Sequence, residues 1–518
     1  MDSAEENCGR KIAQRFLRTA VVVDDQAYIL LAEELAKPGL KVPGRHTRAS
    51  SQNGQDAAAR GLIHSLDAGA VMDAFSALGI ICGVVNPNDD AMETVRQADI
   101  VIIDWLLRDG KPDHTIKLIQ ELFGCEDRNS LRLLAIYTGE TNLKEISVKI
   151  SGILQDADLD PVMTRNDTSI LYRHGQVVLY AKSGVNLANE LLSRRVPERE
   201  LPGKLVEDFA SMTAGLLPAI GLTSLTAVRE GTHKVLDQFS ADLDPAYLAH
   251  RACLSNAEDA EHQIVAHVAE EFRGLMDSMV AEESPAGAKK VEEWVKRKGR
   301  ELGEFTFGKE GKQLNIDETI ALANQGLDAS PQLKRNAFES LSDGFAGSNT
   351  YDLDERLAWI MSFRTVYNTP SPTLWLGTIV TAISDNNEQH LICMRPRCDC
   401  VRLTGLTKFL FLPLVDPRKE MDQIVVRIED EYKRLGINGD PDGWQLIKFK
   451  PVNGSNTVSA SADDDGLKFK DLGGVEYTWR GELKAEYAQR IAQNFGEKLS
   501  RVAIDESEWL RRSARKQV

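Results

Sequence analysis

Five side chains carry the chemistry that stands out in this sequence. Asp24 and Asp25 close the run TAVVVDD (19–25), Asp104 closes ADIVIID (98–104), Thr138 falls in LRLLAIYTG (131–139), and Lys182 falls in QVVLYAKSG (176–184). Each run is short and rich in β-branched, leucine or tyrosine side chains, so each residue stands at the carboxyl end of an expected strand. Functional groups of an open parallel α/β sheet gather at that edge. Three carboxylates, a hydroxyl and an ammonium would then converge. Carboxylates held close repel, raising the pKa of at least one unless a cation neutralises them. A hard divalent ion suits the set, and magnesium takes a few carboxylate oxygens while leaving room for phosphate oxygens. The Asp104 carboxylate could then attack phosphorus and form an aspartyl-phosphate. Lys182 would offset charge on the transferring group, and Thr138 could hydrogen-bond one of its oxygens.

The elements that must position these residues follow from the pattern around them. From residue 20 to about 191, β-branched runs, including GIICGVV (79–85), alternate with amphipathic helices. That pattern predicts an α/β domain with a flavodoxin-like, doubly wound (βα)5 parallel sheet. Ile116, Ile119 and Leu122 stripe a helix after Asp104, and Leu187, Leu191 and Leu192 stripe another after the last strand. Residues 31–58 and 140–175 exceed the minimal plan and read as loop insertions within a domain of residues 1–195. Past the linker RRVPERELPGK (194–204), helices are expected at 203–217, 222–239, 244–282 with a break, 287–302 and 316–340. No strand-like alternation interrupts them, so residues 196–345 read as an all-α domain. Residues 346–518 read as a mixed α+β domain with a small curled sheet. Its expected elements are a helix at 353–368, strands at TLWLGTIVTAI, HLICMRPRCDCVRL, KFLFLPL and WQLIKFKPV, a helix at 416–435, and a last helix near 482–502.

The acidic pair of VVVDD, the aspartate of VIIDW, the hydroxyl of IYTG and the lysine of LYAKSG resemble the response-regulator receiver family over the first third of the chain. The resemblance implies magnesium-dependent transfer of a phosphoryl group to Asp104 from a sensor histidine kinase or phosphotransfer protein, then slow hydrolysis. It also implies that Asp24, Asp25, Asp104 and the Leu106 backbone carbonyl serve the metal, while Thr138 and Lys182 contact the phosphoryl group. Two positions depart from the pattern. Leu179 stands where many receivers carry an aromatic switch residue, although Tyr180 lies beside it, and Ser183 follows Lys182 where proline is common. Both bear on output and leave the acceptor chemistry whole. The layout as a whole resembles receiver proteins of bacterial antiphage and conflict operons. That implies a phosphate buffer or relay partner in defence signalling, with another receiver-bearing effector among its partners. A phosphorylation-controlled effector with its activity in residues 196–518, or a pseudo-receiver scaffold, are the alternatives.

Weaker signals lie elsewhere. Cys393, Cys398 and Cys400, with His390 nearby, have ligand types suited to zinc, but C-x4-C-x-C is not a usual knuckle spacing and buried free cysteines are common. Glu258 with His262, and His267 with Glu271, share helical spacing that suits a metal, a phosphorylatable histidine or ion pairs. Lys448, Lys450 and Trp444 would share a basic-aromatic strand face. No GxxxxGK[ST], HExxH or GxSxG motif occurs.

The formal charge of −16 works against nucleic acid and anionic lipid as partners. Seven scattered cysteines do not resemble a disulfide framework. The acidic start MDSAEENCGR lacks the features of a secretory signal, and the longest apolar stretches fall short of a membrane span. A cytoplasmic protein is expected, with room for a homo-oligomer.

Overall fold

The computed structural model describes residues 3–25, 27, 66–87, 91–107, 110–124, 131–157, 159, 162–172, 175–254, 257, 259–308, 310–333, 340–365, 367, 371–384, 387–419, 421–451, 456–463, 466–500 and 511. The chain divides into two compact units, Met1–Glu301 with Ile316–Ala329, and Leu302–Asn315 with Ser330–Val518. The expected insertion at 31–58 lies outside the described residues.

The first unit is built on a seven-stranded sheet. Its strands are β1 (Thr19–Val23), β2 (Ile81–Val85), β3 (Ile100–Ile103), β4 (Arg132–Thr138), β5 (Met163–Asn166), β6 (Ser169–Tyr172) and β7 (Gly175–Ala181), in the order β2-β1-β3-β4-β7-β6-β5. The first five in that order are parallel, as the expected flavodoxin-like sheet requires. The 140–175 stretch supplies a helix and the β5–β6 hairpin, which extends the sheet antiparallel beyond β7.

Helices α1 (Ser3–Phe16), α2 (Ala68–Ala77), α3 (Ala91–Arg96), α4 (Asp113–Gly124), α5 (Leu143–Asp156) and α6 (Leu201–Met212) cover the two faces. One core joins Val101, Ile103, Ile136 and Leu179 to Ile119 and Leu122 of α4 and Ile146 and Ile150 of α5. The opposite core joins Val22, Ile102, Tyr137 and Tyr180 to Phe16, Phe75 and Phe209. Strand residues two apart share a face, so these β-branched strands are buried on both sides.

The stripe Leu187, Leu191, Leu192 does not form the expected helix after β7. That segment is a short 3-10 turn, Asn189–Arg194, with Leu192 exposed. The covering role falls to α6, beyond residue 195, where Leu201, Leu205, Val206 and Phe209 sit at helical spacing and are buried. Helices α7 (Leu216–Gln238), α8 (Asp244–Cys253), α9 (Asp259–Glu283), α10 (Ala288–Leu302) and α11 (Ile316–Gln325) follow. Arg229 of α7 ties this layer to the sheet: its guanidinium lies 3.0 Å from Asp99 Oδ1, donates to the Phe16 carbonyl at 2.7 Å, and stacks 4.1 Å from the Phe16 ring centroid.

The second unit opens with a hairpin of β8 (Phe305–Phe307) and β9 (Lys312–Leu314), which interrupts the expected all-helical run. Helices α12 (Leu341–Ala346) and α13 (Tyr351–Ser362) precede a nine-stranded sheet, and α14 (Ala485–Ser500) follows it. The sheet comprises β10 (Thr378–Ser384), β11 (Asn387–Cys393), β12 (Thr407–Val415), β13 (Gln423–Ile428), β14 (Glu431–Ile437), β15 (Gln445–Phe449), β16 (Ser461–Asp463), β17 (Gly466–Lys470) and β18 (Glu476–Glu482), all paired antiparallel.

It forks at β12, whose residues Thr407–Phe411 pair with β15 while Leu414 and Val415 pair with β14. Pro413, with no N–H to donate, stands at the fork. One face encloses a core drawn from strands and loops, including Phe409, Phe411, Phe449 and Phe469, so the sheet curls on itself. The other packs Ile379, Ile392 and Leu412 against Phe363 and against Ala488 and Ile491 of α14.

The helix expected over 416–435 is instead the β13–β14 hairpin. Ile424, Ile428, Tyr432 and Leu435 mimic a helical stripe, but Ile424, Val425 and Val426 favour the pleated conformation. A two-residue turn at Glu429–Asp430, with Glu429 at φ +55°, closes the hairpin. The strand HLICMRPRCDCVRL also stops early, at Cys393, because Pro396 leads into a 3-10 turn at Arg397–Asp399.

Candidate functional site

β1 and β3 are neighbours, although the chain visits β2 on the far side of β1 between them. Their carboxyl ends flank the point where strand order reverses, the place where ligands of such sheets bind. Asp24 and Asp104 are the first residues past these two strands. The ladder still holds them: Asp24 N–H donates to Val85 O and Asp104 N–H to Val23 O, each at 3.3 Å. Lys182 follows β7, with its N–H donating to Thr138 O at 2.9 Å.

These anchors bring three side chains together. Lys182 Nζ lies 2.6 Å from Asp104 Oδ2 and 3.3 Å from Asp24 Oδ2. Burial works against the charge on Lys182, but Asp104 and Asp24 together outweigh it and hold the pKa above the ordinary lysine value. The Lys182 and Asp24 side chains are 3% and 2% exposed, against 13% for Asp104, so the Asp104 carboxylate is the one an incoming group can reach.

Asp104 is braced twice more. Its Oδ1 accepts from Leu106 N–H at 3.2 Å, and its carbonyl accepts from the Thr115 hydroxyl of α4 at 2.8 Å. Thr115 is a positioning residue that the strand-end argument does not find, because it lies inside a helix. Thr138 is fully buried, and its Oγ1 accepts from Glu140 N–H at 3.1 Å. Asp25 follows Asp24 and is exposed, and the ammonium of Lys182 bridges the carboxylates of Asp24 and Asp104.

Two tyrosines form a second tier beneath this edge. Tyr137 and Tyr180 pair across β4 and β7. The Tyr137 ring centroid lies 5.9 Å from Lys182 Nζ, and its hydroxyl donates to Val196 O at 2.8 Å. The Tyr180 hydroxyl donates to Asp208 Oδ2 of α6 at 2.6 Å, with the Arg194 guanidinium 5.2 Å from its ring centroid. Burial pushes both phenols well up, helped at Tyr137 by Glu198 and Asp104 and at Tyr180 by Asp208. Burial also raises the Asp208 carboxyl, against the pull of the Tyr180 hydroxyl and Arg194. Leu179 points to the opposite core and is fully buried.

Among the described residues no group of three His, Cys, Asp or Glu side chains could by itself hold a metal ion. Magnesium does not require one, because it is held by one or two carboxylates with waters and substrate oxygens. The hard oxygens of Asp24 and Asp104, already gathered around a cation, fit that donor chemistry.

The zinc candidates do not assemble. Cys393 is buried in the core; Cys400 Sγ is held at 3.2 Å by Pro396 O and its thiol is pushed by burial up to about 12; Cys398 is exposed beside Asp399. His390 Nδ1 lies 2.9 Å from Thr381 Oγ1, and burial lowers its pKa. His267 and Glu271 are exposed on α9, while Glu258 and the His262 side chain lie outside the described residues. Trp444 precedes β15 and packs on Phe495, so it forms no aromatic strip with the exposed Lys448 and Lys450. No single helix among the described residues is long and apolar enough to cross a membrane.

No curated protein and no solved structure matches the chain. Residues 16–187 match a family model, described as the response receiver domain, and the match spans β1 through the residues just after Lys182. The N-terminal portion of this chain thus matches the receiver domain, and the match supports a response-regulator-like phosphoacceptor role.

Proposed function

We propose that Asp104 is the phospho-acceptor and that the chain is a phosphorelay component, a phosphate buffer or relay partner for a sensor histidine kinase or phosphotransfer protein. The observation that carries this reading is the single ammonium of Lys182 held between Asp24 and Asp104 at the strand-order reversal. In the transfer, the P–N bond of a phosphohistidine breaks as a P–O bond forms on the Asp104 carboxylate, and hydrolysis later returns the carboxylate and inorganic phosphate.

Lys182 neutralises the group as it arrives, and the Thr138 hydroxyl, whose oxygen accepts from Glu140 N–H, donates its proton to a phosphoryl oxygen. Asp24, Asp25, Asp104 and the Leu106 carbonyl would hold magnesium, which when bound supplies further positive charge against those oxygens. The setting we infer is bacterial antiphage signalling, with another receiver-bearing effector as a second partner. In this scheme residues 1–195 accept phosphate, and residues 196–345 and 346–518 are separate parts of the chain beyond the acceptor.

A second reading, a phosphorylation-controlled effector, is favoured by the Tyr137 and Tyr180 hydroxyls. They bind the strands that precede Thr138 and Lys182 to Val196 and Asp208. The test is incubation with an acyl-phosphate donor and magnesium, comparing the chain with Asp104→Asn. Equal labelling of the two removes the acceptor assignment. Labelling confined to the unsubstituted chain with no change in its solution scattering supports the buffer, whereas a change in scattering supports the effector.

A further inference from the structure

Helix α7 carries uncharged residues at heptad spacing on one side. Pro218, Leu225 and Thr232 are seven apart, Phe239 follows at the same spacing as the cap residue just past the helix, and Gly221 and Val228 lie between them at the second seam position. Heptad seams of this kind insert into a neighbouring helix. Here the seam has little cover: Pro218, Gly221, Leu225 and Thr232 are exposed, Val228 and Phe239 half-buried, and a Cβ built on Gly221 meets nothing within 4 Å. Leu225 is 51% exposed and Leu236, beside the seam, 64%. The buried residues of α7 include Leu222, Thr226, Ala227 and Val235, and since Val235 continues the row of Gly221 and Val228, the uncovered seam runs from Pro218 to Thr232.

The helix paired with α7 is equally short of cover. Gly231 of α7 packs so tightly on α9 that an added Cβ would stand 2.6 Å from Leu275 Cδ1. Yet along the 25 residues of α9, Ile264, Val268, Phe272, Leu275 and Met279 are all only half-buried, and Val265 is 60% exposed. A helix hairpin of this length normally buries its apolar stripe completely against a neighbour. Large exposed apolar patches mark interaction sites.

We propose that this α7–α9 hairpin is a homodimer interface, in which the seam of α7 packs against the same helices of a second copy to form an intermolecular four-helix bundle. Three features favour a second copy over a different partner. The seam carries no charge, so it offers nothing for a charged peptide to pair with, and depletion of charge is the mark of an interface core. Its heptad spacing is complementary to itself under a two-fold axis, the commonest symmetry of soluble oligomers. At 1.5 Å per residue, α7 is about 34 Å long, and two helices of that reach supply contact on the order of the 800 Å² per partner that a stable interface buries.

The test is the solution mass of the full chain by sedimentation equilibrium over the micromolar range. The expected result is twice the 57.4 kDa chain mass, reduced to a single chain by Leu225→Glu with Leu236→Glu while far-UV circular dichroism is unchanged. Thr232→Arg, a single change at an exposed seam position, gives the same loss with less risk to folding. A single-chain mass for the unsubstituted protein at every concentration overturns the proposal, as does a dimer that survives both sets of substitutions. The inference does not depend on the acceptor reading, which is tested separately by labelling.

Discussion

Lys182 Nζ stands 2.6 Å from Asp104 Oδ2, and 3.3 Å away on its other side is the almost fully buried carboxylate of Asp24. One ammonium is thus shared between two carboxylates that the sheet forces together. Removing it leaves Asp24 charged and buried beside Asp104. Lys182→Met is therefore expected to destabilise the first unit by about 3–5 kcal/mol, the cost of breaking a buried ion pair from one side. Urea denaturation checks this, and a midpoint unchanged from the parent would mean that the pair does not hold the edge together. Added magnesium should recover part of the loss, because it can take over the neutralising role.

The alkaline limb of the stability profile follows from the same residue and its neighbours. Lys182 has a raised pKa in the folded chain, so its stabilisation is complete below the ordinary value of 10.5 and disappears as pH rises through the folded value. Tyr137 and Tyr180 act in the same direction, since burial keeps their hydroxyls protonated past the ordinary 10.0. Stability should fall steadily above about pH 10. Part of the phenolate absorbance should appear only with unfolding. A denaturation midpoint that stays flat from neutrality through the lysine range contradicts this.

Tyr180 and Asp208 give a prediction with two opposite signs. Tyr180→Phe removes the donor from a carboxyl that burial already disfavours as an anion, and should cost about 1–3 kcal/mol. Asp208→Asn keeps an acceptor for the hydroxyl and discards the charge, so at neutral pH it should leave stability unchanged or raise it. Thermal melts of the two variants decide it. Equal destabilisation by both would show that the charge itself is needed, for example by Arg194.

Arg229 is the link from α7 to the sheet. Arg229→Ala deletes the ion pair with Asp99, the bond to Phe16 O and the stack on the Phe16 ring. The expected cost is about 1–3 kcal/mol. Amide exchange should quicken in α7 and α9 while β1, β3 and β4 stay protected. Uniform acceleration across the sheet would place Arg229 in the global core instead.

What could be read from the sequence, and what could not, divides along physical lines. The parallel strands of the first unit were visible because burial on both faces demands unbroken β-branched runs, and Asp24, Asp104, Thr138 and Lys182 mark their ends. Helix α1 is hidden by its polar start, since its contact with the core among the described side chains comes from its last turns, through Ala13 and Phe16 with Ile12 beside them, and from Leu17 just after it. The helix covering the Tyr137–Tyr180 face lies further along, at Leu201–Met212, while Leu187 and Leu191 reach the opposite core from a segment too short for a helix, because apolar spacing does not say which of two successive stripes is helical. In the second unit, Ile424, Ile428, Tyr432 and Leu435 fit a helical period as well as a strand, and the β-branched Ile424, Val425 and Val426 with the Glu429 turn conformation settle the matter in favour of a hairpin. At the site, the strand-end rule found the bridged pair but not Thr115, Tyr137 or Tyr180, whose roles depend on contacts made across elements.

The most direct measurement is the position of the acyl phosphate. The chain is treated with an acyl-phosphate donor and magnesium, reduced with borohydride, which converts a phosphorylated aspartate to homoserine, and mapped by peptide mass spectrometry. Homoserine at position 104, absent when magnesium is withheld, is the predicted result. Homoserine at another aspartate, or none in a chain shown to carry phosphate, would contradict it.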